Sequence, residues 1–140
     1  MSVFYVDVET DGLYGKFLEG AVVKLEQEPK AAKTQKWFNQ LFDGFDNKED
    51  IVVFWHRYIP DWIKENDREL YDKFKGRFIC FMDVYNATIQ LQPSINTIAD
   101  ATKNILNREH KGEAKQDAID LMQAYGMYVY GVELDIKWKI

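Results

Sequence analysis

Asp7 and Glu9 stand two residues apart near the start of the chain, in the stretch V-F-Y-V-D-V-E-T-D-G. On an extended strand that spacing points both side chains to one face. There they can share one divalent cation or bracket two. Carboxylates so close repel one another, so a metal or a proton must compensate. The alternative for an isolated Asp-x-Glu is a solvated strand end. The ligands are hard oxygens, and no paired Cys or closely spaced His is present, so the expected metal is Mg²⁺ or Mn²⁺. The single cysteine, Cys80, lies in the apolar run R-F-I-C-F-M-D-V-Y. It reads as a buried, inert thiol, and one thiol builds neither a disulfide framework nor a Cys-rich zinc site.

The elements that must carry these side chains follow from composition and pattern. With 140 residues the chain is expected to form one compact domain over 1–140. A hydrophobic fraction of 46% supplies a real core and excludes disorder. The formal charge of −5 offers no broad basic footprint for nucleic acid and suits a cation-binding acidic site. No apolar run reaches the roughly 18 to 20 residues needed to cross a bilayer, and no signal-type segment opens the chain. The expectation is an intracellular, cytoplasmic protein with no membrane partner.

Apolar, β-rich runs at 2–8, 17–28, 51–55 and 78–84 read as strands, the first ending in the turn Asp11-Gly12. Residues 33–45 read as a helix with Trp37, Phe38, Leu41 and Phe42 on its apolar face. A second helix starts at Pro60 and runs to about Lys75, stopped by Gly76. A third opens at Pro93-Ser94 with Ser94 as its cap and Ile95, Ile98, Ile105 and Leu106 at helical spacing. The best-patterned helix spans 113–125, with Ala114, Ala118, Leu121, Met122 and Tyr125 at steps of three and four and Gly126 as its stop. The tail 128–140 alternates as an added strand, able to pair with another chain, although a helical start after Gly126 fits too. Strands alternating with helices imply an α/β fold, a mixed sheet with helices on both faces.

The segment V-D-V-E-T-D-G-L, residues 6–13, resembles the first motif of the DEDD superfamily of 3′-to-5′ exonucleases, approximately D-x-E-T-T-G-L, with Asp11 in place of the second Thr. The stretch H-R-Y-I-P-D, residues 56–61, is similar to the second motif, roughly H-N-x-x-F-D, in spacing and context. Arg57 and Pro60 depart from the pattern. Residues 81–85 resemble the strand that carries an Asp-Thr pair in these enzymes, with Asp83 read as structural. Residues 113–118, E-A-K-Q-D-A, are similar to the A-x-x-D-A core of the third motif. The resemblance covers about residues 3–125.

It implies a ribonuclease-H-like fold and a metal-dependent 3′-to-5′ exonuclease acting on single-stranded DNA or RNA. Asp7, Glu9, Asp61 and Asp117 would be the ligands of two Mg²⁺ or Mn²⁺ ions. The base is where the pattern departs: the family's His or Tyr position falls on Gly112 or Glu113. His110 over the site, Glu113 in its place, or loss of the base are the three alternatives. Thr10, Asp11, Leu13, His56, Arg57 and Tyr58 would meet the substrate. Tyr14, Trp55, Tyr58 and Trp62 are candidates to stack on bases, and Arg57, Lys64, Arg108 and Lys111 to meet phosphates. The other expectation is a catalytically inactive ribonuclease-H-like module that binds nucleic acid, a protein partner or a second copy. The last fifteen residues lie outside the resemblance.

Overall fold

The structure is a computed structural model, and it describes residues 2–12, 15–89, 97–109, 113–132 and 134. Aromatic and β-branched residues build β1 (Val3–Asp11), which pairs antiparallel with β2 (Lys16–Val23). The chain then adds a short edge strand, β3 (Lys30–Ala32), and α1 (Gln35–Gln40), capped by the Thr34 hydroxyl. β4 (Ile51–Phe54) returns parallel to β1 on its other side. Next come α2 (Tyr58–Asn66) and α3 (Arg68–Phe74). β5 (Phe78–Cys80) follows, parallel to β4. α4 (Phe81–Ile89), α5 (Ile98–Leu106) and α6 (Ala114–Tyr125) complete the described helices, and α6 runs on as a π-helical turn, Gly126–Tyr130. The strand order is 3-2-1-4-5. This mixed five-stranded sheet with covering helices is consistent with the expected ribonuclease-H-like fold.

Alternation along β1 sends its side chains into two cores. Phe4, Val6 and Val8 pack with Phe38, Phe42, Trp62, Ile63 and Phe74, so α1, α2 and α3 cover one face. Tyr5 joins Ala21, Val23 and Val53 against Phe81, Ala101, Ala118, Leu121 and Met122, so α4, α5 and α6 cover the other. A strand buried on both faces has no polar side to show, which is why β1 and β4 read as continuous apolar runs.

Several expected boundaries move. The strand expected over 78–84 ends at Cys80, and the chain turns helical at Phe81. Phe81 and Tyr85, four apart, are buried while Val84 is exposed, a helical period that a short apolar run does not reveal. The helix expected from Pro60 to Lys75 is two helices, broken where Asp67 takes an extended conformation and caps α3 through the Leu70 N–H. The strand expected over 17–28 stops at Val23. The helix expected over 33–45 is regular only for six residues, and Trp37, placed on its apolar face, is 59% exposed. Gly126 keeps helical dihedrals, so it is not a stop; the turn closes at Gly131, where φ is +66°. Tyr128 and Tyr130 therefore belong to a helical turn and not to an added strand. Thr97 caps α5, whereas Pro93, Ser94 and Ile95 lie outside the described residues, as do 135–140 of the expected terminal strand.

Candidate metal centre

Asp7 and Glu9 occupy the half of β1 that extends past its pairing with β4, which ends at Tyr5 and Val53. They share the Tyr5 face, which α6 crosses. α6 docks through Ala114, Ala118, Leu121 and Met122, all buried. The two alanines, four apart, let its first turn approach the strand closely. Asp117 lies in that turn, on the same helix face as Ala114 and Leu121, and is buried. One carboxylate oxygen from each of Asp7, Glu9 and Asp117 lies within 4.8 Å of the others. Three oxygen donors thus converge from two elements far apart in sequence.

Such a cluster is costly without a counter-charge. Burial pushes the Asp7 carboxyl well above the usual carboxylate range, and the hydrogen bond and charge of Glu9 and then those of Asp117 push it the same way. Asp7 Oδ2 has essentially no exposed surface and finds no hydrogen-bond donor among the described residues. A buried acceptor left over in this way is the residue type and place that a divalent cation satisfies. The positive end of the α6 dipole also faces the cluster.

A fourth acidic side chain adjoins it. Glu19 is the register partner of Glu9, and its carboxylate takes an ion pair from Lys33 at 2.9 Å. The register of β1 with β2 shifts between Glu9 and Thr10, because Thr10 faces Phe17 and Glu9 faces Glu19. Leu18 is the extra, bulged residue and is 51% exposed. Nothing in the sequence signals this bulge, so Glu19 was not among the expected site residues.

The other expected site residues divide. Asp61 stands exposed in the first turn of α2, beside a groove it lines with Lys64, Glu65 and Asn66. α2 packs on the opposite face of the sheet from α6, and Asp61 is not part of the three-carboxylate group. Thr10 Oγ1 donates to the Gly12 carbonyl at 2.7 Å and shares a short hydrogen bond with the Tyr58 hydroxyl. These two residues, with Val8, Glu9 and Gly12, line an open cavity of about 240 Å³ directly beside the cluster. His56 Nδ1 accepts from the Tyr58 N–H at 3.0 Å, which fixes the chain at the start of α2. Asp11 is exposed at the end of β1.

Arg57 was expected to meet substrate, but its guanidinium makes two hydrogen bonds to Asp83 Oδ2, at 2.5 and 3.1 Å. That pair ties α2 to α4 and supports a structural reading of Asp83. Trp55 and Trp62 are core residues, 6% and 2% exposed, and the Trp62 indole donates to the Gly15 carbonyl at 2.7 Å. Neither presents a face for stacking. Arg108 is taken up by the buried Asp120 at 2.7 Å. Leu13, Tyr14, His110, Lys111 and Gly112 lie outside the described residues.

No protein-family model matches the chain, and comparison with curated proteins and with solved structures finds no similar one. Among the described residues no helix is long and apolar enough to cross a membrane.

Proposed function

We propose that this protein is a metal-dependent 3′-to-5′ exonuclease acting on the 3′ end of single-stranded DNA or RNA in the cytoplasm. The convergence of Asp7, Glu9 and Asp117 carries the reading. It joins the first and third motifs of the resemblance, more than a hundred residues apart, at one end of the central strand. Ligands of open α/β sheets gather at such strand ends. Asp7, Glu9 and Asp117 would hold divalent cations, Mg²⁺ or Mn²⁺, and Asp7 Oδ2 is a buried oxygen that such a cation would satisfy. Bound there, the metal supplies activation of the attacking water and stabilisation of the leaving 3′ oxygen. The terminal nucleotide would sit in the cavity between Glu9, Thr10 and Tyr58. Its ring would rest on Tyr58, and Thr10, held by Gly12 and Tyr58, would position the strand end. His110 or Glu113 would take the proton from the attacking water.

A second reading is a ribonuclease-H-like module that binds nucleic acid or a protein partner without turning it over. One observation favours it: Asp61, the remaining expected ligand, stays outside the cluster.

The test is incubation with 5′-labelled single-stranded DNA and RNA in Mg²⁺, Mn²⁺ or EDTA, with Asp7→Ala and Asp117→Ala in parallel as contamination controls. A metal-dependent ladder shortening from the 3′ end, absent from both variants, supports the exonuclease. Intact substrate in every lane with a gel-shifted complex turns the conclusion to the binding module. Degradation that persists in both variants refutes the site.

A further inference from the structure

We infer that Glu19 is the additional carboxylate of this metal centre, held on Lys33 in the metal-free protein and released to the cluster when cations load. The inference rests on the metal-centre reading above and names a residue that the resemblance does not supply.

Three observations carry it. Directly paired residues of an antiparallel ladder point to the same face, with Cβ atoms about 4.5 to 5.5 Å apart. Glu19 therefore rises beside Glu9, on the face that holds Asp7 and Asp117. Two glutamates in direct cross-strand register repel each other and are an unfavourable pair for a sheet to keep. A single inserted residue, Leu18, creates that pairing here; continuing the register of Asp11 with Lys16 and Thr10 with Phe17 would have set Leu18 opposite Glu9. Bulges of this kind cluster beside active sites, where they re-aim a side chain.

The second observation is the deficit at the centre. Asp7 Oδ2 is buried without a donor, which points to a missing cation independently of the count of acidic groups. Three carboxylates suit one ion well. Two ions need more oxygen ligands; neither Asp61 nor Glu19 is gathered with the three, but Glu19 rises from the same face of the sheet, whereas α2, which carries Asp61, covers the other.

The third is the state of Glu19 itself. Its carboxylate rests on an ammonium 78% exposed to solvent, at 2.9 Å, while the glutamate side chain is only 24% exposed. An exposed lysine pairing of this kind is weak and easily exchanged. A glutamate has enough side-chain torsions to turn from Lys33 to a metal beside Glu9 without moving β2. Lys33 is then free to meet a substrate phosphate at the same rim.

The experiment counts Mn²⁺ ions bound to the full chain by calorimetry and by electron paramagnetic resonance, for the wild type, Glu19→Gln, Lys33→Gln and Asp61→Asn. The wild type is expected to bind two ions. Glu19→Gln should keep the tighter ion and weaken the second by about tenfold or more, the loss seen even for outer partners of metal ligands. Lys33→Gln should tighten the second ion several-fold, because it leaves Glu19 unpaired. Asp61→Asn should bind as the wild type does. Circular dichroism melts of each variant confirm that the fold persists. Two unchanged ions in Glu19→Gln, or loss of the second ion in Asp61→Asn instead, overturns the assignment of Glu19 while leaving the metal centre standing. A wild type that binds no Mn²⁺ overturns both.

Discussion

Replacing Asp7 by Asn removes one charge from the carboxylate cluster at almost constant shape, and its effect on stability follows from the geometry. Without a metal the half-buried Asp7, its Oδ2 fully enclosed, stands beside Glu9 and Asp117, and its carboxyl is pushed well above the usual range. The folded state therefore binds a proton that the unfolded chain releases near pH 3.9. The resulting stabilisation is complete below that value and is lost as pH rises through the folded-state value. Above the unfolded value the wild type progressively loses it, whereas Asn is neutral at every pH and its amide can donate to Glu9 or Asp117. A buried acceptor without a donor costs about 1 to 3 kcal/mol. For a chain of this size each kcal/mol moves the melting temperature by about 3 to 4 °C. Asp7→Asn should thus melt about 3 to 12 °C higher than the wild type in EDTA at about pH 7.5. The gap should close near pH 4, where the folded wild type keeps Asp7 protonated and so as neutral as the Asn of the variant. Circular dichroism melts at the two pH values read both quantities directly. A variant that melts at or below the wild type at neutral pH refutes the reasoning, and so does a gain of equal size at pH 4.

Other carboxylates behave in the opposite sense. Asp50 is buried, which by itself raises its pKa, but N–H donors from Asp46 at 2.9 Å and Ser2 at 2.8 Å and the Lys24 charge lower it overall. Asp50→Ala should destabilise by about 1 to 3 kcal/mol at neutral pH; because the folded value lies below the unfolded one, denaturant melts should show the difference shrinking as pH falls below about 4. Arg108→Ala takes the counter-charge from the fully buried Asp120, which keeps the Gln116 amide at 2.9 Å, and should cost about 3 to 5 kcal/mol by urea titration, most of it recovered by adding Asp120→Asn. A Cβ on Gly20 would lie 2.3 Å from the buried Phe38 ring, so Gly20→Ala should lose about 1 to 3 kcal/mol in the same assay, and Phe38→Leu placed with it should restore part.

The parts of the fold that were legible in the sequence are those with a single dominant period. Ala114, Ala118, Leu121, Met122 and Tyr125 recur at helical spacing, and every one is buried in α6. The apolar runs of β1 and β4 needed no period, since both faces are covered. Residues 78–85 misled because an apolar run fits a buried strand and a buried helix equally well, and only tertiary contacts of Phe81 and Tyr85 decide. Gly126 misled for another reason: glycine ends a helix by adopting a positive φ, and here Gly131 does so. At the site, the spacing of Asp7 and Glu9 placed them on one face, and the resemblance pointed to Asp117. Glu19 was hidden because register depends on a bulge that no residue type announces. The pairing of Arg57 with Asp83 was hidden because residues 81–85 read as a strand and not as the helix that brings Asp83 within reach.

The division of the molecule into two cores also runs along the chain. The core against α1, α2 and α3 draws on residues between Phe4 and Phe78, and so needs nothing from α4, α5 or α6. The opposite core needs α6, whose Asp117 must settle against Asp7 and Glu9. Docking of this helix is therefore driven by its apolar face and opposed by the meeting of Asp117, in its first turn, with Asp7 and Glu9 on β1. Acid or a divalent cation should relieve that opposition selectively. Protection factors in α6, corrected for the intrinsic pH dependence of amide exchange, would rise under either condition, while those of α2 and α3 stayed unchanged.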